Sequence, residues 1–280
     1  MLDVISYVEE RAEIIKRKVQ EYKDMGETVS LAIITDKNGD GANKSYIKSK
    51  KAFAEKVGIE CKVVEVEWDY FQNRFALDTG DVDGEIVQYP FYDYTFEEVS
   101  DIVTKSMRPV KDVDGIGKYS NHYPCTPLGI VNYIDHLISK GVVRSQNPNV
   151  LVVGCGDLIG KPLVKMLMDK KNCSVSMIRS STPKEVADKL YEIADIVVFA
   201  TPKPSFFTNV KKDVVYIDCG SHYEGKKLLG NISREVYSDE LLATPVPNGV
   251  GRMTVLSLFE NLLDAKQSIV SSEGMKCQKF

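Results

Sequence analysis

The chain has 280 residues, 43% of them hydrophobic and 27% charged, a globular composition long enough for one large domain or two of medium size. Its formal net charge is −4, without the basic footprint of nucleic-acid binders, so the expected partner is a small molecule and not nucleic acid. No run approaches the roughly 18 uncharged apolar residues of a membrane span, and the opening MLDVISYVEERAEIIKRK carries acidic residues where a signal peptide is apolar. A cytoplasmic protein with no membrane partner is expected.

In chain order, residues 4–24 show helical periodicity, SLAIITD reads as a strand, residues 44–57 as a helix, and CKVVEVEW and GEIVQYP as strands. This alternation predicts a smaller α/β domain. A helix over Thr126–Lys140, with Thr126 as its cap and Pro127 in its first turn, is expected to link to a second domain. From Asn149 onward come VLVVG, a helix over Lys161–Lys171, SVSMI, a helix over Pro183–Ile193, DIVVFA and DVVYIDCG. Near-continuous apolar strands alternating with helices predict a doubly wound parallel sheet. A last helix, Met253–Ile269, is expected to return to the first domain, and the polar end SSEGMKCQKF to fray.

Six cysteines, at 61, 125, 155, 173, 219 and 277, form no C-x-x-C pair and have no histidine at metal-ligand spacing, so neither a metal nor a disulfide framework is expected. Cys155 and Cys219, beside glycines in strand-like runs, read as small hydrophobes.

VLVVGCGDLIGKP places Gly154, Gly156 and Gly160 between a strand and a helix, where a dinucleotide pyrophosphate needs close backbone approach and free helix N–H groups. The spacing is G-x-G-x-x-x-G and not G-x-G-x-x-G, so the α/β context carries more weight than the glycines. At the end of the next strand, SMIRSSTPK offers Arg179, Ser180 and Ser181 and no carboxylate, which favours NADP over NAD. Ser181 or Thr182 is also placed to cap the following helix.

KSYIKSKKAFAEKVGI aligns Tyr46, Lys50, Phe53 and Val57 on one helical stripe, so Lys50 interrupts an apolar face. Lys44, Lys48 and Lys51 fall on other faces, and Lys51 can pair with Glu55. Burial of a lysine disfavours the ammonium form and makes an acid or base available near neutrality, whereas a lysine at a stripe edge merely snorkels. On this segment alone the two readings stand even.

Together SYIKSK, VDGEIVQYP, RPVKDVDG, PCTPLGI, VVGCGDLIGKP and ATPVPNGVGRMT occur in the order found in methylenetetrahydrofolate dehydrogenase/cyclohydrolases, and the chain resembles that family over nearly its whole length. The resemblance implies a folate-binding catalytic domain from residues 1–123 and 255–280 and a Rossmann NAD(P)-binding domain from 124–254. It further implies a cleft between the two, a homodimer, and a place in one-carbon metabolism and purine biosynthesis. Lys50 matches the family's catalytic lysine, Gln88 the glutamine that tunes it, Tyr46 the tyrosine that stacks on the folate, and Asp114 the pterin-holding aspartate. Pro247 and Gly249 match the folate-pocket motif, and Gly154, Cys155, Gly156 and Gly160 the nucleotide turn. The implied reaction is oxidation of 5,10-methylenetetrahydrofolate with NADP, or NAD as the alternative, followed by hydrolysis of the methenyl product to 10-formyltetrahydrofolate. Alternatives are a dehydrogenase with weak or no cyclohydrolase and a non-catalytic folate- or nucleotide-binding relative. A shikimate-type dehydrogenase would explain the glycines but not KDVDG or PCTP.

Several positions depart from the family pattern. Cys155 and Gly156 stand where relatives usually have Arg and Ser, and IGKYSNHY between KDVDG and PCTP is short. Tyr92 replaces a proline, and Asn248 and Arg252 replace a glycine and a proline. Within the short loop His122 reads as exposed, or as a new ligand contact.

Overall fold

Strand β1 (Ser30–Asp36) is buried from Leu31 to Asp36, which requires cover on both faces. It lies between β2 (Glu60–Val66) and β3 (Gly84–Val87) in a parallel sheet of order β2-β1-β3. The structure, a computed structural model, describes residues 1–37, 41–66, 79–170, 172–201, 207–225 and 227–277. The last two residues of the expected strand CKVVEVEW therefore lie outside the described residues. Helices α1 (Val4–Asp24) and α2 (Gly41–Val57) occupy the expected positions.

Helix α3 (Phe96–Ser106) was not expected, although its start is written in the sequence. The Glu98 backbone N–H donates to Thr95 Oγ1, and the Thr95 N–H donates to the Glu98 carboxylate, so each satisfies an end group of the other. Val99 and Val103 of this helix pack with Ile34, Val66, Val87 and Phe91 over the sheet.

Helix α4 (Cys125–Ser139) begins one residue before the expected cap. Thr126 does not cap it: its hydroxyl is hydrogen-bonded at 2.9 Å to that of Thr254. The second sheet has the order β5-β4-β6-β7, all parallel: β4 (Asn149–Val153), β5 (Ser174–Ile178), β6 (Ile196–Phe199) and β7 (Val215–Asp218). Helices α5 (Gly160–Asp169) and α6 (Lys184–Ile193) make the connections, and Leu190 and Tyr191 of α6 pack against Leu151, Val197 and Phe199. A small antiparallel hairpin follows, of β8 (His222–Glu224) and β9 (Lys227–Leu229).

The last helix, α7 (Val250–Cys277), starts earlier than expected and continues through most of the segment expected to fray. Extending a formed helix avoids the cost of nucleation, and the segment contains no proline to stop it.

Contacts divide the chain into two units, Glu9–Cys125 with Val255–Phe280, and Met1–Val8 with Thr126–Thr254. The first residues join the latter because the Leu2 N–H donates to Ala243 O at 2.9 Å and the Tyr7 ring meets Tyr133. No described helix is long and apolar enough to cross a membrane.

Candidate functional site

In the first unit, α2 turns Lys50 inward. The residue is 5% exposed, and Nζ donates to Gln88 Oε1 at 2.8 Å. Phe53, farther along the stripe, stacks on Phe259, and Val57 is buried, so packing fixes the helix face that carries the lysine. Lys44, Lys48 and Lys51 are exposed. The snorkelling reading is thus overturned for Lys50, while its neighbours lie on exposed faces as expected.

Gln88 is 5% exposed and sits just past β3, where its backbone N–H donates to Ile34 O at 2.8 Å. Its side-chain Nε2 donates to Tyr89 O at 2.9 Å, which identifies Oε1 as the atom facing the lysine. An amide oxygen accepts from an ammonium or from a neutral amine alike. It therefore orients Nζ without committing the lysine to one charge state, as a carboxylate partner would. Tyr46, one turn before Lys50, keeps its ring 40% exposed and available for stacking.

Asp114 lies in a loop organised by Asp112, a residue the sequence reading passed over. The Asp112 carboxylate is buried and accepts from the backbone N–H groups of Gly115 at 3.1 Å and Gly117 at 2.8 Å. Burial raises the Asp112 carboxyl above its ordinary range, against the bond from Gly117. Gly115 has φ +70°, and a Cβ there would meet the Tyr123 carbonyl at 2.5 Å, so the turn into PCTP admits only glycine. The Cys125 N–H donates to Asp114 O at 3.3 Å. The Cys125 thiol is pushed far up, first by burial and then by the Asp114 charge, while the Lys50 charge acts in the opposite direction.

A second missed residue, Asn261 on α7, is 4% exposed and donates from Nδ2 to Val113 O at 2.9 Å and Tyr123 O at 3.0 Å. The available signal was a polar amide inside the apolar run VLSLFENLL. His122 is neither exposed nor aimed at a ligand: it is half-buried, with Nε2 2.9 Å from Val110 O, because the short loop folds back on the chain before it. A cavity of about 460 Å³ lies on the other face of α2, lined by Lys44, Ile47, Lys48 and Lys51, and includes none of Tyr46, Lys50, Gln88 and Asp114.

The nucleotide turn belongs to the second unit. Gly154 has φ +115°, and a Cβ there would meet Ala200 O at 2.3 Å; a Cβ on Gly160 would meet Gly154 O at 2.3 Å. Gly156 is different. Among the described residues a Cβ there would meet nothing within 4 Å, so none of them demands its glycine or fills the space over the turn. That is the room a pyrophosphate needs. Cys155 is a half-buried free thiol, and Asp157 pairs with Lys161 at 2.5 Å. At the end of β5, Arg179, Ser180 and Ser181 are exposed. Neither Ser181 nor Thr182 caps α6, whose cap is Pro183 without a side-chain bond; Thr182 Oγ1 instead accepts from the Arg179 N–H at 3.0 Å. That closes the loop and leaves the three side chains at the surface.

Pro247 and Gly249 also belong to the second unit, where Thr244 Oγ1 accepts from the Asp218 N–H at 2.9 Å and fixes the start of TPVP beside β7. A Cβ on Gly249 would meet Pro245 O at 2.2 Å. Among the described residues no group of three or more His, Cys, Asp or Glu is placed to hold a metal, and Cys61, Cys125, Cys155, Cys173 and Cys219 are free thiols.

A parallel sheet with a glycine turn open to a dinucleotide, in one chain with a buried lysine oriented by an amide, defines a nicotinamide-dependent dehydrogenase that also carries acid–base machinery. The family profile described as tetrahydrofolate dehydrogenase/cyclohydrolase, catalytic domain, matches residues 2–114, and the profile for its NAD(P)-binding domain matches 124–270. The chain belongs to the tetrahydrofolate dehydrogenase/cyclohydrolase family. It is 33% identical to the bifunctional protein FolD of Staphylococcus epidermidis over 95% of this chain and 96% of that protein. Among solved structures it resembles the bifunctional FolD dehydrogenase/cyclohydrolase of Campylobacter jejuni, with a TM-score of 0.79 and 26% identity over 95% of this chain and 98% of the other. It is likewise similar to a 5,10-methylenetetrahydrofolate dehydrogenase of the silkworm Bombyx mori, with a TM-score of 0.79 and 25% identity over 95% and 97% of the two chains.

Proposed function

We propose that the chain oxidises 5,10-methylenetetrahydrofolate with NADP and then hydrolyses the methenyl product to 10-formyltetrahydrofolate, with Lys50 as the acid–base group. The observation that carries this reading is the buried Lys50 Nζ bonded at 2.8 Å to an amide oxygen. A bound nicotinamide supplies the oxidation by accepting hydride. The Gly154–Gly160 turn and the exposed Arg179, Ser180 and Ser181 are the residues that would hold that cofactor, the arginine and hydroxyls suiting a 2′-phosphate.

In the hydrolytic step Lys50 takes a proton from the water that adds to the methenyl carbon. It returns a proton to the folate nitrogen released as the ring opens. Gln88 keeps Nζ aimed in both protonation states, Tyr46 stacks on the folate rings, and the Asp114 carboxylate holds the pterin and offsets the cation's charge. Purified protein with methylenetetrahydrofolate, assayed side by side with NADP and NAD, tests the first step, and decay of added methenyltetrahydrofolate tests the second. Absence of both activities refutes the reading.

The active species is a homodimer built on the second unit. Supporting this, β5 is the edge of its sheet, Met177 on it is 41% exposed, and Met168 on the adjoining α5 is 69% exposed. Light scattering on a sized protein tests it, with Met177→Lys expected to give monomer.

A further inference from the structure

The segment carrying Gln88 is tied down at three points. The Gln88 N–H donates to Ile34 O at 2.8 Å, Asn43 Nδ2 donates to Pro90 O at 2.6 Å, and the Tyr92 N–H donates to Asp36 Oδ2 at 2.9 Å. The first is the natural continuation of the β1·β3 ladder. The second comes from α2, the helix that also carries Lys50. The third is unusual at both ends.

Tyr92 has φ +46°, a left-handed conformation that L side chains avoid and that costs energy for a bulky aromatic residue. Its ring is committed as well, with the hydroxyl donating to Val66 O at 2.8 Å. Asp36, the last residue of β1, is 6% exposed. Among the described residues, its Oδ2 takes the Tyr92 N–H and its Oδ1 has no partner. Burying a carboxylate for a single hydrogen bond is unfavourable, as is a left-handed tyrosine. Both costs converge on one contact, and that contact fixes the turn of residues 88–92. The family's usual proline at position 92 would have neither the N–H nor access to this φ.

We propose that Asp36, acting through the Tyr92 N–H, is a positioning residue for the Lys50–Gln88 pair, a role that rests on the acid–base reading above. Asp36 touches no reacting atom; it sets the loop that aims Gln88 Oε1 at Lys50 Nζ. Loss of the carboxylate releases the loop, lets the Gln88 amide rotate, and lowers the turnover number of the hydrolytic step while leaving folate affinity in place.

The test compares Asp36→Val, which removes the acceptor at similar volume, with Asp36→Asn, which keeps one acceptor oxygen for the Tyr92 N–H. Tyr92→Pro removes the donor from the other side. Asp36→Val is expected to lower the cyclohydrolase kcat about 10- to 100-fold with KM within about threefold, as a small misplacement of an acid–base group does. Asp36→Asn should restore most of it. In protein labelled with ¹⁵N-glutamine, the Gln88 side-chain amide signal should shift in Asp36→Val and stay in place in Asp36→Asn. Wild-type kcat with an unmoved Gln88 signal in folded Asp36→Val overturns the proposal, as does failure of both Asp36→Val and Tyr92→Pro to fold. If the wild-type protein lacks cyclohydrolase activity, the functional reading fails, and the Gln88 amide signal alone decides the role of Asp36.

Discussion

Replacing Lys50 by Met removes the titratable amine while keeping an unbranched side chain that fits the same buried slot. Two effects follow from the geometry. Gln88 Oε1, 2.8 Å from Nζ in the wild type, loses its donor in a buried site, which costs about 1–3 kcal/mol of stability. Part of this is offset because a desolvated amine is also removed. The hydrolytic step loses its acid–base group, worth about 100- to 10,000-fold, equivalent to roughly 3–5 kcal/mol of barrier. Hydride transfer needs no proton from the lysine, so the dehydrogenase should fall far less than the cyclohydrolase. Following methenyltetrahydrofolate decay and NADP reduction separately on the same preparation gives both rates, and thermal unfolding shows that the variant is folded. A folded Lys50→Met protein that hydrolyses the methenyl substrate within threefold of wild type would refute the assignment. Equal losses in both steps would mean that Lys50 acts by holding folate and not by moving a proton.

Asn261→Ala leaves the Tyr123 carbonyl without the Asn261 donor and Val113 O with only the Cys125 thiol, and should cost about 1–3 kcal/mol in urea unfolding, so a loss below about 0.5 kcal/mol would show that the stitch from α7 is dispensable. Glu85 accepts from Thr79 Oγ1 at 2.6 Å, and burial raises its carboxyl above the ordinary 4.5. The folded state therefore keeps this proton to higher pH than the unfolded chain, so wild-type stability is eroded as pH rises from about 4.5 through the folded value. Glu85→Gln, which keeps an acceptor and cannot ionise, should gain on wild type across that window, and a stability difference independent of pH between 4 and 7 would contradict the sign. Arg179→Ala should raise KM for NADP about tenfold or more and leave KM for NAD nearly unchanged, as expected when one charge-assisted contact to a 2′-phosphate is lost; equal effects on both cofactors would place the arginine elsewhere.

How much of this was legible in the sequence depends on how local the cause is. The strands around Ile33 and Val152 announce themselves because continuous apolar runs have one structural use in an α/β protein. Lys50 was legible as an anomaly within a single helix, but its partner was legible only through the family resemblance and not from local pattern, since Gln88 is 38 positions away and meets it through the register of β3 on β1. Asp112 and Asn261 escaped for the same reason: each acts by bonding backbone groups of a loop, and nothing local to Asn261 indicates which carbonyls, 138 and 148 positions away, it will reach. Helix caps failed differently. Thr126 and Thr182 have the right residue type at the right place, yet a distant partner, Thr254, took the first hydroxyl and a local one, the Arg179 N–H, the second.

The departures from the family pattern read singly as losses, and in the structure two of them read as compensated pairs. Asn248 stands at φ +76° where a glycine is usual, and asparagine is among the residues that tolerate this region best. Its Oδ1 accepts from Arg252 Nε at 3.1 Å, so the second substitution in the motif bonds the first. Tyr92 stands at φ +46° where a proline is usual, and the N–H that proline lacks is taken by Asp36. In each case the unusual backbone comes with a side chain that stabilises it, and the loop keeps a defined course. A chain drifting out of function has no reason to accumulate such pairs, because nothing then penalises a loosened loop. The paired substitutions around TPVP and IVQYP therefore favour a working enzyme whose site walls have been rebuilt over a binding relative that has lost its chemistry. At the Cys155 and Gly156 turn, by contrast, no compensating side chain among the described residues stands within 4 Å of a Cβ on Gly156.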